Sequence, residues 1–386
     1  MQSTSSSDRS MQLEAQSGFV LLAAAVIAII LANSPWSAQF AQFWQTLLGF
    51  DIAGVGLWKS IVLWINDGLM AVFFFVMGLE IKRELHFGSL KDPRSMALAI
   101  VAAIGGMVTP ALIYVAIMRG APGIHGWAIP TATDIAFAIG FLSILGPRVP
   151  REVKVLLLAL AIIDDIGATA IIALVYSHDL TLMMLALGIL GLFLVFLLRR
   201  LGFTTLAIYL PLAFAIWLAF LKSGVHPTVA AVAFAMLMPV TASEQAPTAI
   251  ARLEQWLHPW VAFGIMPLFA LANAGVTIRW AEFAQPITLA VIAGLVIGKP
   301  VGVIGVSWLA VRIGFARLAN PINPFAIVGV SCLAGIGFTM SLFIASLALR
   351  GAQLEQAKLG IMIGSSVSAL LGVSILARFL SAPRAS

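Results

Sequence analysis

Twelve apolar runs of bilayer length follow one another along this chain, near 16–34, 58–82, 95–117, 124–145, 153–176, 181–198, 204–221, 224–240, 256–276, 287–311, 325–349 and 358–380. A helix needs about 20 apolar residues to cross about 30 Å of hydrocarbon. Inside lipid, only elements that satisfy their own backbone hydrogen bonds survive. The pattern therefore predicts an all-α integral membrane protein with about 12 transmembrane helices. Composition points the same way: 61% of residues are hydrophobic, 10% are charged, and the mean hydropathy is +1.05. A soluble domain carries about 25% charge because its surface faces water. This chain cannot cover itself in water, and the lipid bilayer is its predicted solvent.

The net charge of +6 does not imply a nucleic-acid partner, because the Lys and Arg residues fall in short groups between apolar runs and form no basic face. With twelve spans both termini share one side. Fifteen Lys and Arg fall on that side and six on the other, with Lys299 inside the membrane completing the 22. The positive-inside rule predicts that both termini are cytoplasmic. Residues 1–12, rich in Ser, read as a disordered cytoplasmic tail, and 13–386 as one transmembrane domain. The run after Arg9 reads as a first membrane helix rather than a leader. Residues 36–57 are apolar but interrupted, and read as an external hairpin or amphipathic stretch. The single Cys332 lies in an apolar run, so neither a disulfide nor a cysteine metal site is expected.

Two segments are broken in the middle. The fourth contains Pro130-Thr131-Ala132-Thr133-Asp134, where proline removes a backbone donor and the threonines offer replacement oxygens. The eleventh contains Gly335-Ile336-Gly337-Phe338-Thr339-Met340-Ser341. If segments 3–5 and 10–12 are related units, the breaks take matching positions in inverted repeats, the arrangement that marks a transporter's binding site.

Charge inside a bilayer is costly and usually functional. Asp164 and Asp165 lie within Ile162-Ile163-Asp164-Asp165-Ile166, and adjacent helical residues point about 100° apart. One carboxylate can face a water-filled cavity while the other meets a partner. Such a pair can hold protons in acid and offer hard oxygens to a small cation in alkali. Lys299, in Gly298-Lys299-Pro300, needs a counter-charge, and reads either as a permanent ion-pair partner or as a proton carrier. At the first break two half-helices would bring like-signed dipole ends together. Asp134 beside positive ends and Lys299 beside negative ends would neutralise them. Asp67 is placed to line an outer vestibule. Glu80, Lys82, Arg83 and Glu84 lie at the opposite, cytoplasmic end of the same helix, as a solvated helix end or an acidic funnel mouth. His226 opens segment 8 as a polar anchor or a pH-responsive group.

These residues resemble the NhaA-type bacterial sodium/proton antiporter family. The resemblance runs through Ala128–Phe137, Ala161–Ala168, Gly298-Lys299-Pro300, Gly335–Ile344 and Met77–Glu84. It implies two crossed, broken helices at segments 4 and 11, and no enzyme activity. It implies electrogenic exchange of cytoplasmic sodium or lithium for external protons in the bacterial inner membrane, serving pH homeostasis and salt tolerance, with no cofactor. Asp165 would be the main cation ligand, joined by Asp164 and Thr133 in holding sodium, with Asp164 paired to Lys299. Thr133 and Asp134 would support the crossed breaks. Glu80, Glu84, Glu254 and His226 match positions tied to pH response. The 36–57 stretch is similar to the family's dimer-forming hairpin, which implies a homodimer. On the residues alone, a proton-coupled carrier of another solute stays open. An intramembrane aspartyl protease is a weaker alternative, because it wants its carboxylates on two helices.

Overall fold

The computed structural model describes residues 6–52, 55–87, 93–203, 205–238, 249–315 and 324–380. In chain order its elements are α1 (Ser6–Ala32), α2 (Ser37–Gln45), β1 (Leu47–Ile52), β2 (Val55–Ser60), α3 (Ile61–Trp64), α4 (Met70–Phe87), α5 (Pro93–Ile117), α6 (Ile135–Ser143), α7 (Arg151–Val175) and α8 (Leu182–Arg200). There follow α9 (Leu206–Ser223), α10 (Pro227–Leu237), α11 (Ala249–Trp260), α12 (Met266–Asn273), α13 (Pro286–Ala293), α14 (Lys299–Arg312), α15 (Pro324–Ala334), α16 (Phe338–Ala348) and α17 (Gly351–Phe379). Of the expected tail, residues 1–5 lie outside the described residues, and the first helix begins at Ser6.

Among the described residues, seven helices are long and apolar enough to cross a membrane, or up to nine if each of two bent pairs is one span. Three expected segments register neither as a single long helix nor as one of these bent pairs. The run 124–145 is a 3-10 turn (Ile124–Thr131), an extended stretch and the nine-residue α6. The run 224–240 holds only the 11-residue α10, which starts at Pro227. The run 256–276 joins α11 to α12 through a π-turn at Val261–Ile265, with Pro259 and Pro267 inside it. Proline and polar breaks shorten each helix while leaving the run apolar.

The described residues fall into two compact units. One is drawn from Met1–Asn33, Ser89–Ala168 and Ala274–Ser386. There α5 packs along α14, with Gly105 and Gly302 so close that a Cβ on either would strike the other's carbonyl. Beside this contact the π-turn Gly294–Gly298 lies against Pro110 of α5, and the Lys299 side chain that follows it lies beside Gly106. α17 packs on both α13 and α15.

The other unit is drawn from Ser34–Gly88 and Thr169–Asn273. It contains α4 against α10, α8 against α9, and the antiparallel ribbon β1–β2, with Leu47 opposite Ser60 and Ile52 opposite Val55. Residues 36–57 thus hold a short helix and most of a two-stranded ribbon. Large apolar side chains such as Leu182, Phe193 and Leu210 are more than half exposed. In water such surfaces would associate, whereas lipid solvates them.

Candidate functional site

α7 brings Asp164 and Asp165 into the first unit, where they are 0% and 2% exposed. Asp164 Oδ2 accepts hydrogen bonds from Lys299 Nζ and from the Thr133 hydroxyl, the latter at 2.6 Å. Neither Lys299 nor Asp164 has any side-chain exposure. Asp164 Oδ1 is buried and has no hydrogen-bond partner among the described residues. Burying such an oxygen is costly unless something positive or proton-bearing meets it. Asp165 acts electrostatically on Lys299 alongside. Two hard carboxylates, a hydroxyl and one ammonium therefore share a small volume. No group of three or more His, Cys, Asp or Glu that could hold a metal occurs among the described residues. The donor set suits a weakly held monovalent cation rather than a resident metal.

The two breaks meet each other. α15 stops at Ala334, and α16 restarts at Phe338 with a 41° bend. The Asp134 amide donates to the Ile336 carbonyl at 2.6 Å. The Thr133 hydroxyl lies 2.7 Å from the Ala334 carbonyl as well as near Asp164. It has one proton, so it serves one acceptor at a time. Asp134 is the N-cap of α6, its Oδ1 accepting from the Phe137 amide at 3.1 Å. Its Oδ2 accepts from the amide of Thr339 at 2.9 Å and from the Thr339 hydroxyl. One carboxylate therefore faces the positive ends of two half-helices, α6 and α16. The carbonyl end of α15 is met by Thr133, and Lys299 meets the Asp164 carboxylate rather than a helix end.

The other candidates lie in the second unit. Asp67 sits in a π-turn (Ile65–Leu69) and is 8% exposed. It pairs with Lys59 of β2, and His226 Nε2 lies 3.3 Å from its other oxygen. His226 is the N-cap of α10 and accepts from the Thr228 amide. Arg83 of α4 donates to Glu254 of α11 at 2.7 Å and lies 3.9 Å from Glu80. Glu84 is half-buried on the same helix. Burial above all pushes the Glu254 carboxyl above its ordinary range; Arg83 pulls it back, and Glu80 adds to the rise.

Sequence reasoning missed several partners. Lys82 is not at a solvated helix end: it is 6% exposed and donates to the carbonyls of Met236 and Met238 at the end of α10. Asn66 and Asn273 exchange amide hydrogen bonds at 2.9 and 3.2 Å. Thr339 lay within a run of hydroxyls already visible in the second break. The other contacts carry no local signal, since each joins residues more than 150 positions apart.

The whole chain was compared with known proteins. Residues 8–376 match the family described as Na+/H+ antiporter 1. The chain is 46% identical to the Na(+)/H(+) antiporter NhaA of Proteus mirabilis, with 95% of each chain covered. It is 45% identical to the Na(+)/H(+) antiporter NhaA of Pseudomonas putida, over 97% of this chain and 98% of that one. It is also 45% identical to the Na(+)/H(+) antiporter NhaA 1 of Syntrophotalea carbinolica, over 95% of both. With paired breaks, a buried carboxylate doublet and this degree of identity over nearly its full length, the chain belongs to the Na+/H+ antiporter 1 family.

Proposed function

We propose that this protein is an electrogenic secondary antiporter that exports cytoplasmic sodium or lithium in exchange for external protons. The observation that carries the reading is the half-satisfied carboxylate of Asp164. One of its oxygens is held by Lys299 and Thr133, while the other is buried without a hydrogen bond among the described residues. A desolvated anionic oxygen beside a second carboxylate, Asp165, calls for a proton or a small cation. Asp165 is the main ligand in this reading, with Asp164 and the Thr133 oxygen completing the sodium shell. Protons and sodium compete for the same oxygens, so exchange follows without a separate coupling device. Lowering the pH then weakens apparent sodium affinity, by up to about tenfold per pH unit while one proton competes.

Asp134 and Thr133 hold the two breaks together, so that the ion site can be offered to either side by rocking around a fixed centre. The matching positions of the breaks and the hydrogen bonds between them support crossed helices within inverted repeats and a twelve-span topology. The cationic bias of the loops supports cytoplasmic termini in a bacterial inner membrane. The 36–57 stretch is the proposed contact of a homodimer. Asp67, Glu80, Glu84, His226 and Glu254 are proposed to tune the response to pH.

The test is direct. Vesicles containing only this protein and an imposed pH gradient should show sodium-triggered collapse of that gradient, and lithium should act likewise. No collapse at any pH between mild acid and alkali would sink the assignment.

A further inference from the structure

We infer that Ser365 of α17 is a positioning residue for the exchange, acting through the half-helix that Asp134 also holds. The inference rests on the antiport reading above. α16 begins without a side-chain cap of its own, since its N-cap is Gly337. Its first two amides are served instead by two other segments of the chain. Thr339 donates to Asp134 Oδ2 at 2.9 Å, and Phe338 donates to Ser365 Oγ at 3.2 Å. Both acceptors are buried, Asp134 at 1% and Ser365 at 5% exposure. A half-helix that must keep its place inside lipid has no water to fall back on for these donors.

A second hydroxyl one turn along the same face supports the assignment. Ser368, 1% exposed, donates to the Leu295 carbonyl at 3.4 Å. Leu295 lies in the π-turn Gly294–Gly298 that immediately precedes Lys299, and π-turns loosen the regular backbone ladder. Gly335 of the second break fits against this spot, where a Cβ would meet the Leu295 carbonyl and come within 2.7 Å of Ser368 Oγ. One edge of α17 therefore touches two parts of the site: the start of α16 through Ser365, and the turn that precedes Lys299 through Ser368. If Ser365 loses its hydroxyl, Asp134 keeps its bonds to Thr339 at that end while the Phe338 amide loses its acceptor. Asp134 is then drawn toward Phe338, and Thr133, its chain neighbour, shifts relative to Asp164.

The experiment compares wild type, Ser365→Ala, Ser365→Thr and Ser346→Ala in reconstituted vesicles. It reads apparent KM for sodium, maximal rate and apparent Tm of each. Ser346 is the control, because its hydroxyl donates only to Phe343 within α16. Ser365→Ala should raise apparent KM roughly fivefold, the equivalent of one lost buried hydrogen bond. Its maximal rate should stay near wild type, and Ser365→Thr should restore the affinity. Ser346→Ala should match wild type. A wild-type KM in folded Ser365→Ala would overturn the inference, and so would a fall in rate alone that tracks lost protein. If Ser365→Ala does not fold, Ser365→Cys replaces the acceptor with a weak one of similar size, and a wild-type KM there overturns the inference equally. Absence of sodium-dependent flux in wild type would instead sink the antiport reading itself.

Discussion

The ion pair of Asp164 and Lys299 makes a quantitative demand on stability. Both side chains have zero exposure, so removing either partner strands a charge with no solvent to receive it. Breaking a buried pair in this way costs about 3–5 kcal/mol, whereas replacing both partners with neutral residues of similar volume is often close to neutral. Asp164→Asn leaves the Lys299 ammonium stranded, and Lys299→Met leaves the Asp164 carboxylate stranded. The double variant strands neither member of the pair, and its Asn can still accept from Thr133. Independent effects would sum to about 6–10 kcal/mol, so recovery in the double variant would reveal a coupling of several kcal/mol. The assay is thermal unfolding of purified protein in detergent, with all four proteins compared at one pH. The double variant should unfold above both single variants while exchanging no sodium. If its Tm instead falls by the sum of the two single losses, the pair is not what fixes α7 against α14.

Other perturbations separate the roles of the remaining groups. Asp165→Asn keeps shape but removes the anionic ligand, so sodium-dependent proton flux should vanish at normal yield and Tm; full flux would remove Asp165 from the site. Asp134→Asn leaves a single acceptor oxygen where two half-helix amides now bond, so it should lower Tm more than Asp165→Asn but leave residual exchange. Complete loss of sodium binding in Asp134→Asn, with binding kept in Asp165→Asn, would reverse the two assignments. Glu254 lies two residues before the expected span at 256–276, and its folded carboxyl holds its proton to higher pH than an unfolded one. Its contribution to stability is therefore full in acid and fades as pH rises through the folded value. Glu254→Gln should accordingly flatten the fall of Tm on the alkaline side of the carboxylate range. A wild-type decline no steeper than that of Glu254→Gln would refute this.

The centre of the site was legible in the sequence because lipid makes charge conspicuous. Asp164, Asp165 and Lys299 stand out in apolar runs, and Pro130 and the glycines at 335 and 337 mark the two breaks. What the residues alone left open was which group meets which helix end. Thr133 answers the carbonyl end of α15, and Lys299 answers a carboxylate, because side-chain reach in three dimensions decides the pairing. Ser365 looked like any serine in a membrane helix, since its partner amide is 27 residues away on the far side of a break. Lys82 looked like a surface charge at a helix end, but the carbonyls at the end of α10 offered it better partners than water. The expected helix count was also blurred, because hydropathy records apolar runs and does not see where proline and glycine stop a helix within them.

The single hydroxyl proton of Thr133 has a further consequence, this time for speed. Its two acceptors, the Asp164 carboxylate and the Ala334 carbonyl, belong respectively to the ion site and to the end of a half-helix. Switching between them needs only rotation of one O–H bond, a motion on the scale of side-chain rotor jumps, whereas helix displacement takes microseconds to milliseconds. The end of α15 therefore loses or regains its tie almost as soon as the charge on Asp164 changes. In the proposed exchange, rocking of the backbone then starts from a lock that has already been set, because rotor and helix motions differ by several decades in rate.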